Sequence, residues 1–173
     1  DFMKRDFSTG STSTIPGAFG TTTASNAVSD EQAVYTNDWN TAGTALKSDW
    51  STQTTTVMPG TWSTSVNPYF TGQFATPNVS QTKGYFTGGR YPSLSPSPNN
   101  GVGRRRQHIV FATGTGVSEG DRAEDYIYYS AGSDSALRGY MYGGYTANGG
   151  GQNTISYMTF ATDDSFNTMP GTP

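Results

Sequence analysis

Short apolar and aromatic runs alternate with turn-rich segments over the second half of the chain. Gly84–Thr87, His108–Ala112, Tyr126–Tyr129, Gly139–Tyr142 and Ile155–Phe160 are the runs. Between them lie Pro92–Gly103, Gly114–Gly120, Gly132–Ser135 and Thr146–Gly151, rich in Gly, Pro, Asn and Ser. Aromatic and β-branched residues bounded by such clusters predict strands, and connections without helical periodicity predict an antiparallel meander. Residues 51–81 read the same way, with Val57, Trp62, Val66, Tyr69, Phe70 and Phe74 set among Thr and Ser and broken at Pro59-Gly60, Pro68 and Pro77.

Two stretches differ. In 29–50, Ser29 and Gln32 form a capping-box pattern, and Val34, Ala42, Leu46 and Trp50 fall on an i+4 ladder that Asp38 interrupts, so one short helix is expected. In 8–29, only Ile15, Phe19 and Val28 break a Ser/Thr/Gly/Ala background, too little apolar surface to fold alone. That stretch is either a disordered tail or an extended arm ordered on a neighbouring subunit. Nine of the eleven tyrosines follow Thr82. The expected organisation is therefore a Ser/Thr-rich arm (1–50), a strand-rich connector (51–81) and a β repeat domain (82–173).

Composition supports an all-β reading. Hydrophobic residues are 32% of the 173 and aromatics 13%, so Tyr, Phe and Trp must supply much of the burial, as suits pleated sheets. A net charge of −3, with only 13% charged residues, carries no footprint for nucleic-acid binding. The absence of cysteine excludes disulfides and thiolate metal sites. No apolar run is long enough to span a bilayer, and "DFMKRDF" lacks the apolar core of a signal peptide, so a soluble chain is expected; its start at Asp1 points to processing or a partial chain.

The chain also repeats itself. Gly84-Tyr85-Phe86-Thr87-Gly88-Gly89 aligns with Gly139-Tyr140-Met141-Tyr142-Gly143-Gly144 at an offset of about 55 residues, and Phe111-Ala112-Thr113 with Phe160-Ala161-Thr162 at about 49. A glycine pair closing a strand suits a tight bend in which a Cβ would clash. Gly88, Gly89, Gly143 and Gly144 are therefore read as structural turns in a building unit. The unit length loosely resembles kelch propeller blades. More closely, the "GYMYGG … NTISYMTFAT" grammar of 137–166 resembles the glycine-pair repeats of tailed-phage structural proteins. The first copy departs from it at Arg104-Arg105-Arg106 and His108. The resemblance implies short antiparallel strands in blade-like or sandwich meanders, with edges completed by neighbouring subunits. It also implies a non-enzymatic virion component of tail, fibre or capsid that assembles as a homo-oligomer with other virion or surface proteins.

Catalytic and cofactor signatures are lacking: no GxSxG elbow, paired catalytic carboxylates or Ser-His-Asp set stands out. "GTGVSEG" at 114–120 has no Lys-Ser/Thr after it and is no phosphate loop. His108, the single histidine, rules out a multi-histidine metal cluster and is read as structural. Glu119, Asp121, Glu124 and Asp125 could face a hard cation, but are read as a solvated loop with Arg122. Asp163-Asp164 is read as a β-turn. Arg104, Arg105 and Arg106 could meet an acidic glycan or phosphate, and pairing with a neighbour's carboxylates is the preferred reading. Asn78-Val79-Ser80 matches a glycosylation sequon. Two further readings stay open: a carbohydrate-binding or adhesive module using Trp62, Tyr91 and Tyr145, and a bacterial surface filament or sheath. The expected locations are the virion or, for those two, the cell surface.

Overall fold

The computed structural model describes residues 2–6, 8–15, 27–29, 33–38, 44–49, 51–52, 54–58, 76–89, 105–123, 127–146 and 150–170. Among these the backbone forms β-strands and no α-helix. A hairpin of β1 (Phe2–Arg5) and β2 (Thr12–Ile15) comes first. The first four-stranded sheet follows, with β3 (Ala27–Ser29), β4 (Ala33–Asp38), β5 (Thr44–Asp49) and β6 (Thr55–Val57) side by side. The middle sheet holds β7 (Thr76–Val79), β8 (Lys83–Thr87), β9 (Arg105–Val110) and β10 (Thr115–Asp121). After β11 (Ile127–Tyr128) comes the third sheet, β12 (Ala131–Asp134), β13 (Arg138–Tyr142), β15 (Ile155–Thr159) and β16 (Asn167–Thr168); β14 (Tyr145–Thr146) leaves it to pair with β11. Every pairing is antiparallel, and each four-stranded sheet is a simple meander.

Strand periodicity sends Tyr85 and Phe86 to opposite faces of the middle sheet. Phe86 packs with Ala33, Met58 and Ile109, a cluster shared with the first sheet. Tyr85 packs with Ala123, Ile127, Met141, Met158 and Phe166, a cluster shared with the third. Because both faces are covered, β8 is a continuous buried run after Lys83 and does not alternate. In the third sheet alternation survives: Gly139, Met141, Ser156 and Met158 turn inward. Arg138, Tyr140, Tyr142, Ile155 and Tyr157 therefore share the outer face, with Tyr140 opposite Tyr157 and Tyr142 opposite Ile155.

The registers give the middle and third sheets two ends. One carries tight turns: 80–82 between β7 and β8, 111–114 between β9 and β10, 135–137 between β12 and β13, and 160–166 between β15 and β16. The other carries both glycine pairs and the longer connections.

Repetition extends to the N-terminal half. The Asp6 carboxylate accepts from the Ser8 amide at 2.8 Å and the Thr9 amide at 3.2 Å, while Thr9 and Ser11 hydroxyls bond at 2.7 Å. The Asp49 carboxylate accepts from the Ser51 amide at 2.8 Å and the Thr52 amide at 3.1 Å, with Thr52 and Thr54 hydroxyls at 2.7 Å. "DFSTGS" and "DWSTQT" thus close the β1–β2 and β5–β6 hairpins with the same side-chain-capped turn. Hydrogen bonds from the Ser51 hydroxyl and the Thr52 and Ser51 amides hold the Asp49 carboxyl down, to about 2.

Several sequence expectations need correcting. The helix expected in 29–50 is replaced by the antiparallel pair β4 and β5, in which Val34 lies opposite Ser48 and Thr36 opposite Leu46. The i+4 ladder joins Val34 of β4 to Leu46 of β5, while Ala42 and Trp50 lie outside the described residues, and the Val and Thr residues of the two strands favour the extended backbone. β10 and β12 occupy segments read as turns. β7 lies in the expected connector, so the middle sheet crosses the 81/82 boundary. Asn78 is no glycan acceptor: it is fully buried, and its amide nitrogen donates to the Ser133 and Tyr140 carbonyls and to Asp134 Oδ1 at 2.9–3.1 Å.

Candidate functional site

Two groups of chemically active side chains stand out, one between the middle and third sheets and one at their glycine-pair end. The first is centred on Arg106 in β9, whose side chain is 0% exposed. A bulge in β10 shifts the register between Ser118 and Gly120, leaving Glu119 as the extra residue and aiming its carboxylate at Arg106 and His108. Arg106 Nε donates to Glu119 Oε2 at 3.0 Å. Its Nη2 donates to Asp163 Oδ1 at 2.8 Å and to the Asp163 carbonyl at 3.0 Å, and its Nη1 to the Asp164 carbonyl at 2.7 Å. Lys83 Nζ reaches Asp163 Oδ2 at 2.6 Å, and Arg122 lies 3.5 Å from Glu119.

Aromatic rings wall this cluster. The Arg106 guanidinium sits 5.1 Å from the Tyr85 ring centroid, and Phe160 stacks on the same ring at 5.6 Å and 10°. Burial pushes the Tyr85 hydroxyl well above its ordinary range, the Asp163 charge adding to the effect. Burial also drives the Glu119 carboxyl upward, but bonds from His108 and Arg106 outweigh it and bring the group down from 4.5 to about 2. His108, Glu119 and Asp163 offer ligand atoms within 4.8 Å of one another. Arg106 pairs with both carboxylates there, so the cluster already contains its positive charge. The arrangement is an internal fastener between two sheets.

This overturns two sequence readings. Arg106, expected at a partner or glycan surface and to pair with a neighbour's carboxylates, is buried and pairs within its own chain. Glu119, expected in a solvated loop, lies in a strand with its side chain 6% exposed. Arg105 starts β9 opposite Asp121. Arg104, Trp62, Tyr91, Glu124 and Asp125 lie outside the described residues.

The second group occupies the glycine-pair end. Gly88 and Gly89 have φ of 71° and 101°, Gly143 and Gly144 of 56° and 103°, so both pairs have the same left-handed geometry. A Cβ on Gly88 would stand 2.6 Å from the Ile127 carbonyl oxygen, and one on Gly144 2.8 Å from that of Tyr128. The Gly89 amide donates to the Ile127 carbonyl at 2.8 Å. Both pairs therefore close around β11.

Ile127 is buried, while Tyr128, Tyr129 and Tyr145 gather outside it. Their ring centroids are 5.1 Å (Tyr128–Tyr129), 6.0 Å (Tyr128–Tyr145) and 6.5 Å (Tyr129–Tyr145) apart. Tyr129 is 53% exposed and Tyr145 49%. Of the three, Tyr145 was singled out from the sequence; the others were hidden in the Tyr126–Tyr129 run, where "YIYY" beside a glycine-rich partner segment was the available signal.

No family model matches this chain, and no curated protein does. Among solved structures, that of YjhT is similar at a TM-score of 0.61 and 11% identity, over 86% of this chain and 52% of that one. The likeness is one of fold, and the chain spans about half the length of YjhT. The class defined is an all-β protein of successive antiparallel meanders. Among the described residues no helix is long and apolar enough to cross a membrane.

Proposed function

We propose that this chain is a non-enzymatic structural protein, a virion component of a tailed phage, built from kelch-like four-stranded units and assembling through its β-sheet faces into a homo-oligomer. The outer face of the third sheet carries the argument. Arg138 lies 4.6 Å over the Tyr157 ring, Tyr140 and Tyr142 stack at 6.4 Å, and the Tyr142 hydroxyl bonds Ser133 Oγ at 2.6 Å. Such an aromatic face resembles the faces that the middle sheet buries against its neighbours, and stacking one more sheet on it would continue the same packing.

The buried charges support the same reading, since Arg106, Glu119 and Asp163 serve to hold sheets together. The phage assignment draws on the resemblance of the "GYMYGG … NTISYMTFAT" unit to phage repeat proteins. Mass spectrometry of purified particles from the phage encoding this chain tests it. Peptides of this chain at the abundance of a structural component are the expected result, and their absence from particles overturns it.

A further inference from the structure

We propose that Tyr128, Tyr129 and Tyr145 form a saccharide-binding platform at the glycine-pair end. The inference is independent of the assembly reading. The three rings are mutually inclined: Tyr128 and Tyr145 make a shallow floor at 36°, and Tyr129 stands against Tyr145 at 82°. The C–H groups of a pyranose face carry slight positive charge and settle on the negative faces of aromatic rings, as the edge of a second ring does. The phenolic hydroxyl of Tyr145 can both donate to and accept from sugar hydroxyls.

Backbone strain gives an independent reason. Tyr129 holds a φ of 58°, a left-handed conformation that a bulky side chain rarely adopts. Such outliers cluster where function requires a side chain to be presented. The glycine pairs contribute too, because a Cβ on Gly88 or Gly144 would collide with the β11 backbone and displace the strand that carries Tyr128.

A sugar fits better than a protein partner. Among the described residues the strongly exposed aliphatic side chains are Val57 and Leu137. Leu137 lies at the tight-turn end of the third sheet and Val57 in β6, so among the described residues the patch offers polar-tipped rings. Protein hot spots join such rings to Arg contacts in fully desolvated pockets, whereas Tyr129 and Tyr145 stand half-exposed.

Isothermal titration of the full chain with glucose-, galactose- and N-acetylglucosamine-based oligosaccharides tests the proposal, with Tyr145→Ala and Tyr129→Gly as variants. Binding by the wild-type chain to at least one of these, weakened about tenfold or more in each variant, is expected. Tyr129→Gly relieves the strained φ, so its thermal midpoint should match or exceed that of the wild type while affinity falls; a merely structural tyrosine would not behave this way. If Tyr145→Ala fails to fold, Tyr129→Gly alone decides. No heat with any of these sugars, or unchanged affinity in the variants, overturns the proposal. A fall in native mass of Tyr129→Gly without any sugar response overturns it as well, making the patch a protein interface.

Discussion

The hairpin turn of the middle sheet and the corresponding turn of the third share the sequence Phe-Ala-Thr and differ in the next residue. Gly114 ends the first with φ of 63°, and its amide donates to the Val110 carbonyl at 2.8 Å. Asp163 ends the second with φ of 53°, and its amide donates to the Thr159 carbonyl at 3.0 Å. The backbone solution is the same, yet the second turn accepts a strained aspartate where glycine would be relaxed. The carboxylate explains it: Asp163 reaches across to Arg106 and Lys83 of the middle sheet. A Cβ at Gly114 would meet within 4 Å only the apolar Met58 Cε, at 4.0 Å. One turn only reverses the chain, and the other also fastens two sheets.

The sharpest way to break this contrast is Arg106→Leu, which strands the Glu119 and Asp163 carboxylates. Urea denaturation should show a loss of about 3–5 kcal/mol. In that background Asp163→Gly should cost less than it does in the wild type, since the strain remains and only the Lys83 pair still offsets it. A double-mutant cycle without such coupling would show that Asp163 is kept for another reason.

Gly144→Ala should cost about 3 kcal/mol, combining left-handed strain with the clash on the Tyr128 carbonyl, and Gly88→Ala about as much. Equal effects would establish the two pairs as equivalent parts of two units. A negligible effect at either would deny it.

Acid should release the fastener next. The folded Glu119 carboxyl is held at about 2 against an ordinary 4.5. Its stabilising contribution is thus complete above pH 4.5 and lost as the pH falls toward 2. The loss is on the order of 2–3 kcal/mol, and it should vanish in Glu119→Gln. Thermal midpoints of wild type and Glu119→Gln across that range check it.

The smallest effect belongs to the turns themselves. Gly114→Asp should cost about 1 kcal/mol by thermal unfolding, because it gains the strain without the partners. A stabilised variant would contradict the comparison.

How much of this was legible beforehand follows from what each strand buries. β8, β13 and β15 were readable because Tyr85, Phe86, Met141 and Met158 bury large apolar groups in short runs. β7 was not, because Thr76 and Asn78 are buried through polar partners more than fifty residues away; β10 was not, because Glu119 is buried through Arg106 and His108 on the neighbouring strand; and β12 was not, because its small and polar residues are all exposed. The matched Asp6 and Asp49 turns escaped notice because their invariant part is Asp-x-Ser-Thr, indistinguishable in composition from the Ser/Thr-rich surroundings. The glycine pairs were visible as a repeat, whereas the tyrosines they flank became a group only once β11 and β14 were paired. Arg106 was misread because three arginines after a Gly/Pro-rich segment look like surface charge; a β10 bulge and a turn more than fifty residues away made it internal.

Sedimentation equilibrium of the full chain beside Tyr142→Asp is the direct test of the proposal that these sheets are units for assembly. The wild type should sediment as a multimer and the variant, with a charge placed on the outer face of the third sheet, as a smaller species. A wild-type chain that remains a well-folded monomer at every concentration would contradict it.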